Sequence, residues 1–271
     1  MDRLGWAAGF SLISYGVRIG VRVNDARLLD RIKEYLPPDW RPSKTNVVER
    51  IYSVIAGGPG ARPGLHKLSI LYGNAERLAR SKELDDVLDS LESNIKRYIA
   101  EMARRRVFVH AGVVGWKGRA IVIPGRTFSG KTTLVAELVR AGATYYSDEY
   151  AVFDQRGLVH PYARPLAVRE NGGYKQTRRS VKELGGAAGA RPLPVGMVVV
   201  SEYREGARWR PRQLTAGQGA LALLNNTASI RRQPEEALST LREVVSRAQV
   251  IKGARGEASE VAAALIESLG D

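Results

Sequence analysis

Cysteine is absent from all 271 residues of the chain, and long apolar runs are absent as well. Without cysteine the chain forms no disulfides and no thiolate metal sites, which favours a cytoplasmic protein. No apolar run approaches the roughly 20 residues that a membrane-spanning helix needs. The first 16 residues lack the basic segment and the cleavage site of a signal peptide. We therefore expect no signal peptide and no membrane partner.

Acidic residues are scarce relative to basic ones, with 28 Asp and Glu against 42 Lys and Arg and a formal net charge of +14. An excess of this size would suit a polyanionic partner such as nucleic acid, acidic lipid or an acidic protein. The simpler interpretation is a compositional bias, because no long block of Lys or Arg occurs. The nearest basic-aromatic patch is the short segment RWRPR at 208–212. We therefore do not expect nucleic acid as the main partner.

The chain has a length that suits one large domain or two small ones. Residues 10–24 alternate apolar and polar side chains, which predicts a half-buried strand, and 47–56 and 67–73 predict two more. From Ser81, a candidate N-cap, apolar residues recur every three or four positions as in an amphipathic helix. These patterns define a small α+β N-terminal part, residues 1–105, whose role the sequence does not identify.

Residues 106–271 form the second part, in which predicted strands and helices follow one another. Apolar runs predict strands at 106–116, 120–125, 144–154 and 196–203. Periodic patterns predict helices at 131–141, 214–224, 234–247 and 258–269. The sequence therefore predicts an α/β fold for this part.

The most specific local signal is Gly125-x4-Gly130-Lys131-Thr132, a Walker A motif. Glycines let the backbone wrap an anion with its N–H groups, and the helix that follows directs its positive end at the same anion. A chance match is the alternative, but the apolar strand before the motif and the amphipathic helix after it both favour a nucleotide site for ATP. The candidate binding residues are Gly125, Arg126, Thr127, Phe128, Ser129, Gly130, Lys131, Thr132 and Thr133.

Two adjacent carboxylates, Asp148 and Glu149, follow an apolar and aromatic run. An acid at the end of such a strand commonly completes the Mg²⁺ site of a P-loop enzyme, together with the Thr132 hydroxyl. A second carboxylate can take a proton from a hydroxyl nucleophile. The alternative is an exposed acidic turn, which the apolar flanks disfavour. His110 lies on a predicted buried strand, where a histidine is more often part of the core than of a catalytic site.

The segment VHAGVVGWKGRAIVIPGRTFSGKTTLVAELVRAGATYYSDEYAVFD (109–154) resembles the catalytic domain of HPr kinase/phosphorylase. That family has a histidine opening a strand, a hairpin, a P-loop, a helix and then a paired acidic motif. PLAVREN (165–171) and ELGGAAGARPLPVGMVVV (183–200) are similar to later segments of the same domain. The resemblance covers about a third of the chain. It implies a mixed, partly antiparallel sheet flanked by helices, an ATP-binding P-loop, and a kinase that acts on a serine hydroxyl.

The same resemblance implies roles for individual residues. Asp148 would be the base toward the acceptor hydroxyl, and Glu149 would serve the metal or support its ligands. His110 would lie beside the transferred phosphate, with Arg169 and Arg191 steadying its charge. The N-terminal hundred residues do not resemble the regulatory domain of that enzyme, so the chain is closer to stand-alone relatives. The acceptor, the reverse reaction and any homo-oligomer stay open.

Together these observations predict an ATP- and Mg²⁺-dependent kinase that phosphorylates a serine-type hydroxyl of a protein or peptide. An acidic peptide would suit the arginines on the polar face of 10–24, although a solvated strand face is the simpler interpretation. A second hypothesis is a kinase for a small molecule such as an amino acid or sugar acid. The third is a nucleotide-gated ATPase or nucleic-acid-binding protein, which the positive charge motivates.

Overall fold

The computed structural model describes residues 5–59, 66–126, 129–169 and 176–269, with the backbone alone at 59, 66, 167–169 and 176–178. The chain divides into two compact units, Met1–Arg104 (unit 1) and Arg105–Asp271 (unit 2). Both units combine mixed sheets with helices, so the fold class is mixed α/β. Among the helices of the described residues, none is both long and apolar enough to cross a bilayer.

The described residues of unit 1 form one six-stranded sheet, a separate strand pair and two helices. Its strands are Ala8–Ser14 (β1), Val17–Val23 (β2), Arg41–Pro42 (β3), Arg50–Ile55 (β4), Gly58–Pro59 (β5), His66–Lys67 (β6), Ser69–Gly73 (β7) and Glu76–Ser81 (β8), and its helices are Leu28–Lys33 (α1) and Leu84–Met102 (α2). The sheet order is β3-β1-β2-β4-β7-β8, while β5 and β6 form a separate pair. Helix α2 packs on β7 and β8 and buries an apolar stripe that includes Leu88, Leu91 and Ile95.

The segment 10–24 is a hairpin rather than the single strand that its alternation predicts. Tyr15 and Gly16 have φ values of 48° and 80°, and the chain turns there between β1 and β2. A glycine adopts such a positive φ without a steric penalty, which is why the turn falls at this position. The alternation in β2 is confirmed, because its odd-numbered valines and isoleucine are buried.

The prediction that Ser81 caps the long helix is wrong. Ser81 ends β8, and α2 begins three residues later at Leu84, with Glu83 at the N-cap. The Ser81 hydroxyl instead donates a hydrogen bond of 2.6 Å to Asp86 and accepts one of 3.1 Å from the backbone N–H of Glu83. Ser81 therefore supports the first turn of the helix from outside it.

Where the structure describes unit 2, the chain forms an eight-stranded sheet, a separate pair of strands and four α-helices. Its strands are Val107–Trp116 (β9), Arg119–Pro124 (β10), Thr144–Ser147 (β11), Tyr150–Phe153 (β12), Leu158–His160 (β13), Leu166–Arg169 (β14), Gln176–Arg179 (β15), Leu193–Tyr203 (β16), Arg212–Gln213 (β17) and Gln249–Arg255 (β18). Its helices are Lys131–Arg140 (α3), Ala216–Leu224 (α4), Pro234–Ser246 (α5) and Ala258–Ser268 (α6), with a 3₁₀ turn at Val181–Leu184.

This sheet is organised around β9 and three parallel strands, β10, β16 and β18 (the parallel trio). The path runs β10-β9-β12-β13-β16-β18-β17, β11 also pairs with β9, and β10 also pairs with β16. Strands β10, β16 and β18 lie side by side and run parallel. Their carboxyl ends, at Pro124, Tyr203 and Arg255, therefore meet at one edge of the sheet, the edge at which open α/β sheets bind ligands.

Two apolar clusters cover the two faces of this sheet. On one face Ile121, Ile123 and Met197 pack with α3 and α6. On the other face Val122 and Val198 pack with α4 and α5. Because successive side chains of a strand point to opposite faces, each central strand contributes to both clusters. The layered core holds the carboxyl edge rigidly between helices on both sides.

Two sequence predictions in unit 2 need correction. The predicted single strand at 144–154 is two strands, β11 and β12, separated by Asp148 and Glu149. Strand β18 was not predicted, because QVIKGAR has only two adjacent apolar residues and no sustained alternation. Its partner is the long buried strand β16, so its strand conformation depends on tertiary pairing rather than on local pattern.

We expect Gly112→Ala to lower the free energy of unfolding by about 1–3 kcal/mol, because it overpacks the contact between β9 and α3. A Cβ at Gly112 would lie 2.6 Å from Cγ2 of Val135. Urea denaturation of the two proteins measures the difference. Gly217→Ala on α4 is the matched control, since a Cβ there meets nothing within 4 Å. Equal effects of the two substitutions would contradict this account of the packing.

Candidate functional site

The Walker A segment, residues 125–132, connects β10 to α3 at the carboxyl edge of the parallel trio. Gly130 is the N-cap of α3 with a φ of 77° and offers no side-chain cap to the first N–H groups of the helix. Helix N-termini in this state attract anions through their N–H groups and their dipole. The described part of the segment thus has the local structure that the motif predicts, while Thr127 and Phe128 lie outside the described residues.

Lys131 is buried at the start of α3, with 6% of its surface exposed. Its Nζ donates a hydrogen bond of 2.8 Å to the carbonyl of Arg126, across the Walker A segment. Burial lowers the pKa of the ammonium from 10.5 to about 8, although the charges of Asp148 and Glu149 act in the opposite direction. An anion bound in the segment would compensate this buried charge.

We expect Lys131→Met to raise the free energy of unfolding by about 1–2 kcal/mol at pH 7. The fall in the pKa of Lys131 from 10.5 to about 8 corresponds to about 3 kcal/mol that disfavour the charged form of the buried side chain. The lost bond to Arg126 offsets part of this gain. The folded-state pKa lies below the unfolded one, so the penalty is complete below pH 8 and disappears as the pH rises toward 10.5.

Urea denaturation of parent and variant at pH 7 and pH 10 tests this expectation. The advantage of the variant should shrink at the higher pH. An advantage that stays constant with pH would contradict a charge-based cost, and a variant less stable than the parent would contradict the burial penalty itself.

Asp148 and Glu149 lie in a turn that interrupts pairing along β9. The Ser147 hydroxyl accepts hydrogen bonds from the backbone N–H groups of Glu149 (3.1 Å) and Tyr150 (2.9 Å). The Glu149 carbonyl accepts one of 3.1 Å from the N–H of Ala111 on β9. These bonds fix the turn, and its acidic residues therefore have a defined position beside the start of α3.

The Asp148 carboxylate joins this turn to the Walker A segment. The Thr132 hydroxyl donates to its Oδ2 at 3.1 Å. The Tyr145 hydroxyl lies 2.9 Å from its Oδ1 and 2.9 Å from the carbonyl of Arg164. Burial, together with the charge of Asp148, raises the pKa of Tyr145, so this phenol stays protonated and acts as a donor. The carboxylate is thus held at both oxygens, one of them by the motif threonine.

His110 lies on β9 against the first glycine of the Walker A segment. Its Nδ1 is 2.8 Å from the Gly125 carbonyl, and because a carbonyl only accepts, Nδ1 carries the proton. Its backbone N–H donates to the carbonyl of Asn226 at 2.7 Å, and its carbonyl accepts from the N–H of Gly125 at 3.2 Å. The ring packs edge-on against Tyr150. The histidine is therefore a residue of β9 that contacts the Walker A segment at Gly125.

The structure does not bring every candidate residue together. Lys131, Thr132, Asp148, Glu149 and His110 converge around the Walker A segment, as the contacts above show. Arg191 has an exposed side chain, and its carbonyl accepts a hydrogen bond of 2.7 Å from Tyr146. In the described part of the chain its guanidinium forms no hydrogen bond or ion pair with that group. Arg169 ends β14 with only its backbone described, and Arg126 and Thr133 are exposed.

Arg255 is a candidate that the sequence patterns missed. It ends β18 with 2% of its surface exposed, and its Nη2 donates a hydrogen bond of 2.9 Å to the carbonyl of Ser129. Its guanidinium also lies 5.6 Å from the ring of Tyr203, its register partner on β16. Within the described ranges no carboxylate pairs with it, and burial lowers its pKa. A buried cation at the end of β18 thus supports the Walker A segment through its bond to Ser129.

Two cavities flank the Walker A segment. A cavity of about 540 Å³ (the first cavity) is bounded by Pro124, Gly125, Arg126, Ser129, Val200, Ser201, Arg212, Leu214, Gln218, Leu221, Ala222, Asn225, Asn226 and Lys252. A cavity of about 370 Å³ (the second cavity) is bounded by Gly130, Thr133, Glu137, Tyr203, Arg255, Gly256, Glu257, Ala258 and Ser259. Both volumes lie in the range typical of sites for small ligands.

Within the part of the chain that the structure describes, no three His, Asp or Glu side chains cluster closely enough to hold a metal ion. The hard oxygens of Thr132 and Asp148 do meet, at 3.1 Å. Mg²⁺ commonly uses one or two carboxylates plus phosphate oxygens rather than an all-protein cage. The donor set at this position therefore fits Mg²⁺ bound together with a nucleotide.

No family model matches the chain, and no curated protein matches it.

Proposed function

We propose that unit 2 is an ATP- and Mg²⁺-dependent kinase that transfers the γ-phosphate to a serine-type hydroxyl of a protein or peptide. The observation that carries this proposal is the hydrogen bond of 3.1 Å between Thr132 and Asp148, beside buried Lys131 at the N-terminus of α3. A phosphate-binding segment and a carboxylate in direct contact are the two parts that phosphoryl transfer requires.

The triphosphate would lie on the backbone of the Walker A segment, with Lys131 turning from the Arg126 carbonyl to the β- and γ-phosphates. The second cavity would take the nucleoside, because it lies against Gly130 and Thr133 at the start of α3, and its lining includes no residue of the strand that carries His110. Tyr203, 52% exposed at the mouth of that cavity, would offer its ring to the base.

Thr132 and Asp148 would hold Mg²⁺, with Glu149 as a further oxygen donor in the same turn. Bound Mg²⁺ would supply positive charge that neutralises the negative charge developing on the phosphate oxygens. Asp148 would also orient the acceptor hydroxyl and take its proton, the role that the resemblance to HPr kinase/phosphorylase implies. Lys131 and the cations around the segment would balance the charge on the phosphoryl group.

A small-molecule acceptor is the second candidate. The first cavity favours it, because about 540 Å³ is enough to enclose an amino acid or a sugar acid. The third hypothesis, an ATPase or nucleic-acid-binding protein, rests only on the net charge of +14.

Purified full-length protein, Mg²⁺ and ATP radiolabelled at the γ-phosphate test the proposal. Calorimetry with a non-hydrolysable ATP analogue measures binding separately from chemistry. We expect binding that requires Lys131, and transfer of label to a hydroxyl of a co-purified or added acceptor. Absence of nucleotide binding would refute the kinase, as would a Lys131→Ala variant that binds and reacts like the parent. Release of labelled phosphate without transfer to any hydroxyl would favour the ATPase.

A further inference from the structure

The first cavity adjoins the half of the Walker A segment that lies toward the catalytic candidates. Gly125 and Asn226 both line it, and both bond to His110. The Gly125 carbonyl bonds to the histidine ring, and the Asn226 carbonyl accepts from the histidine backbone N–H. Neither cavity is lined by a residue of β9, β11 or β12, so the first cavity approaches His110 through Gly125 and Asn226. A ligand in the first cavity would therefore meet the Walker A segment at Gly125, beside His110, whereas a nucleoside in the second cavity would meet it at Gly130.

Three cations line the first cavity without an acidic partner. Arg126 comes from the Walker A segment, Arg212 from β17 and Lys252 from β18, and the lining residues include no Asp or Glu. All three residues are exposed to solvent. Within the described residues none of them forms an ion pair with a carboxylate. This wall of the cavity is therefore uniformly positive.

Arg212 and Lys252 are also direct cross-strand partners in the antiparallel pair of β17 and β18. Like charges directly opposite each other destabilise a sheet. Their side chains share one face, and that face borders the cavity. An anion bound between them would relieve the repulsion, so this pair provides evidence for an anionic ligand that is independent of the Walker A motif.

We propose that the first cavity binds the phosphate acceptor through an anionic group of that acceptor, a carboxylate or a phosphate held by Arg212 and Lys252. This inference rests on the proposed kinase function and specifies its substrate class. The amides of Gln218 and Asn225 supply hydrogen bonds beside the cations, and Leu214 and Leu221 supply apolar contact. Arg126, which belongs to the Walker A segment, lines the same cavity as Arg212 and Lys252.

The test is binding of a fluorescent peptide with a central serine flanked by glutamates, in the presence of a non-hydrolysable ATP analogue and Mg²⁺. A peptide with glutamines in place of the glutamates is the neutral counterpart, and malate represents a free hydroxy acid as competitor. We expect the acidic peptide or malate to bind at least about 10-fold more tightly than the neutral peptide, as charge-assisted hydrogen bonds imply. Peptide binding and malate binding identify the two sources of the anionic group.

Two double variants in the cavity and one control outside it relate the binding to the cavity. Arg212→Glu with Lys252→Glu should weaken the anionic ligand at least about 10-fold, and Arg212→Gln with Lys252→Gln should weaken it less. Arg156→Glu with Arg242→Glu changes the net charge equally at exposed positions outside the cavity and should leave the affinity unchanged.

Equal affinity of acidic and neutral ligands would overturn the inference, and so would equal loss in the cavity variant and the matched control. If the ATP analogue binds while neither the acidic peptide nor malate binds, the inference also fails, whereas the kinase proposal survives. If the ATP analogue itself does not bind, the kinase proposal fails, and the inference that rests on it fails with it. The analogue's affinity in each variant therefore separates the two.

Discussion

Asp148→Asn is expected to lower the rate of phosphoryl transfer by about 10³-fold while leaving the fold intact. General-base catalysis contributes 10²–10⁴-fold, and an amide can neither take a proton nor donate negative charge to Mg²⁺. Asparagine keeps the size of the side chain and can still accept the bond from Thr132. Transfer to the acceptor, or to water in its absence, measures the rate.

A magnesium titration of the Asp148→Asn variant separates the two roles of the carboxylate. A lower maximal rate at unchanged metal requirement indicates the base, whereas recovery at high Mg²⁺ indicates the metal site. Asp154→Asn is the matched control, because Asp154 bonds to His160 at 2.9 Å in the β12–β13 hairpin and forms no hydrogen bond with the described residues of the Walker A segment. A rate for Asp148→Asn within a few-fold of the control would contradict the assignment.

The second large effect is expected from Gly130→Ala, which should weaken nucleotide binding by about 100-fold or more. The substitution adds strain at a φ of 77° and drives a Cβ into Nη2 of Arg255, so the guanidinium or the Walker A backbone must move. Calorimetry with a non-hydrolysable ATP analogue measures the affinity, and circular dichroism reports on the fold.

Gly185→Ala controls for the backbone strain alone. Gly185 has a φ of 75°, almost the same as Gly130, but a Cβ there meets nothing within 4 Å. This variant should cost about 1–2 kcal/mol of stability and leave nucleotide binding unaffected. Combining Gly130→Ala with Arg255→Ala should restore part of the affinity if the clash dominates. Identical binding by both glycine variants would show that Arg255 does not support the segment.

The local parts of the site were predictable from the sequence because their signals are short-range. The Walker A spacing identified Lys131 and Thr132, and the strand–loop–helix context around them is present in the structure. Asp148 was identifiable as an acid with apolar flanks. Its bond to Thr132 was not predictable from spacing, since it depends on β10 and β11 pairing with the two edges of β9.

Arg255 and the two cavities depend on contacts between distant segments. Ser129 and Arg255 are 126 positions apart, and nothing in QVIKGAR marks a strand whose end reaches the Walker A segment. Arg212 and Lys252 belong to different strands, so their like-charge pairing is visible only in the sheet register. Turn chemistry explains the smaller error at 10–24, where the non-glycine Tyr15 takes a positive φ beside Gly16.

Strand β9 pairs with β10 along one edge and with β11 and β12 along the other. Strand β9 therefore holds both the strand that leads into the Walker A segment and the two strands on either side of Asp148. In the proposed kinase, fluctuations of the β9 backbone would displace the bound nucleotide and the Asp148 carboxylate together, so their separation would be set when the chain folds. The entropy of aligning them would then be lost before the acceptor binds, and only the acceptor would have to be aligned.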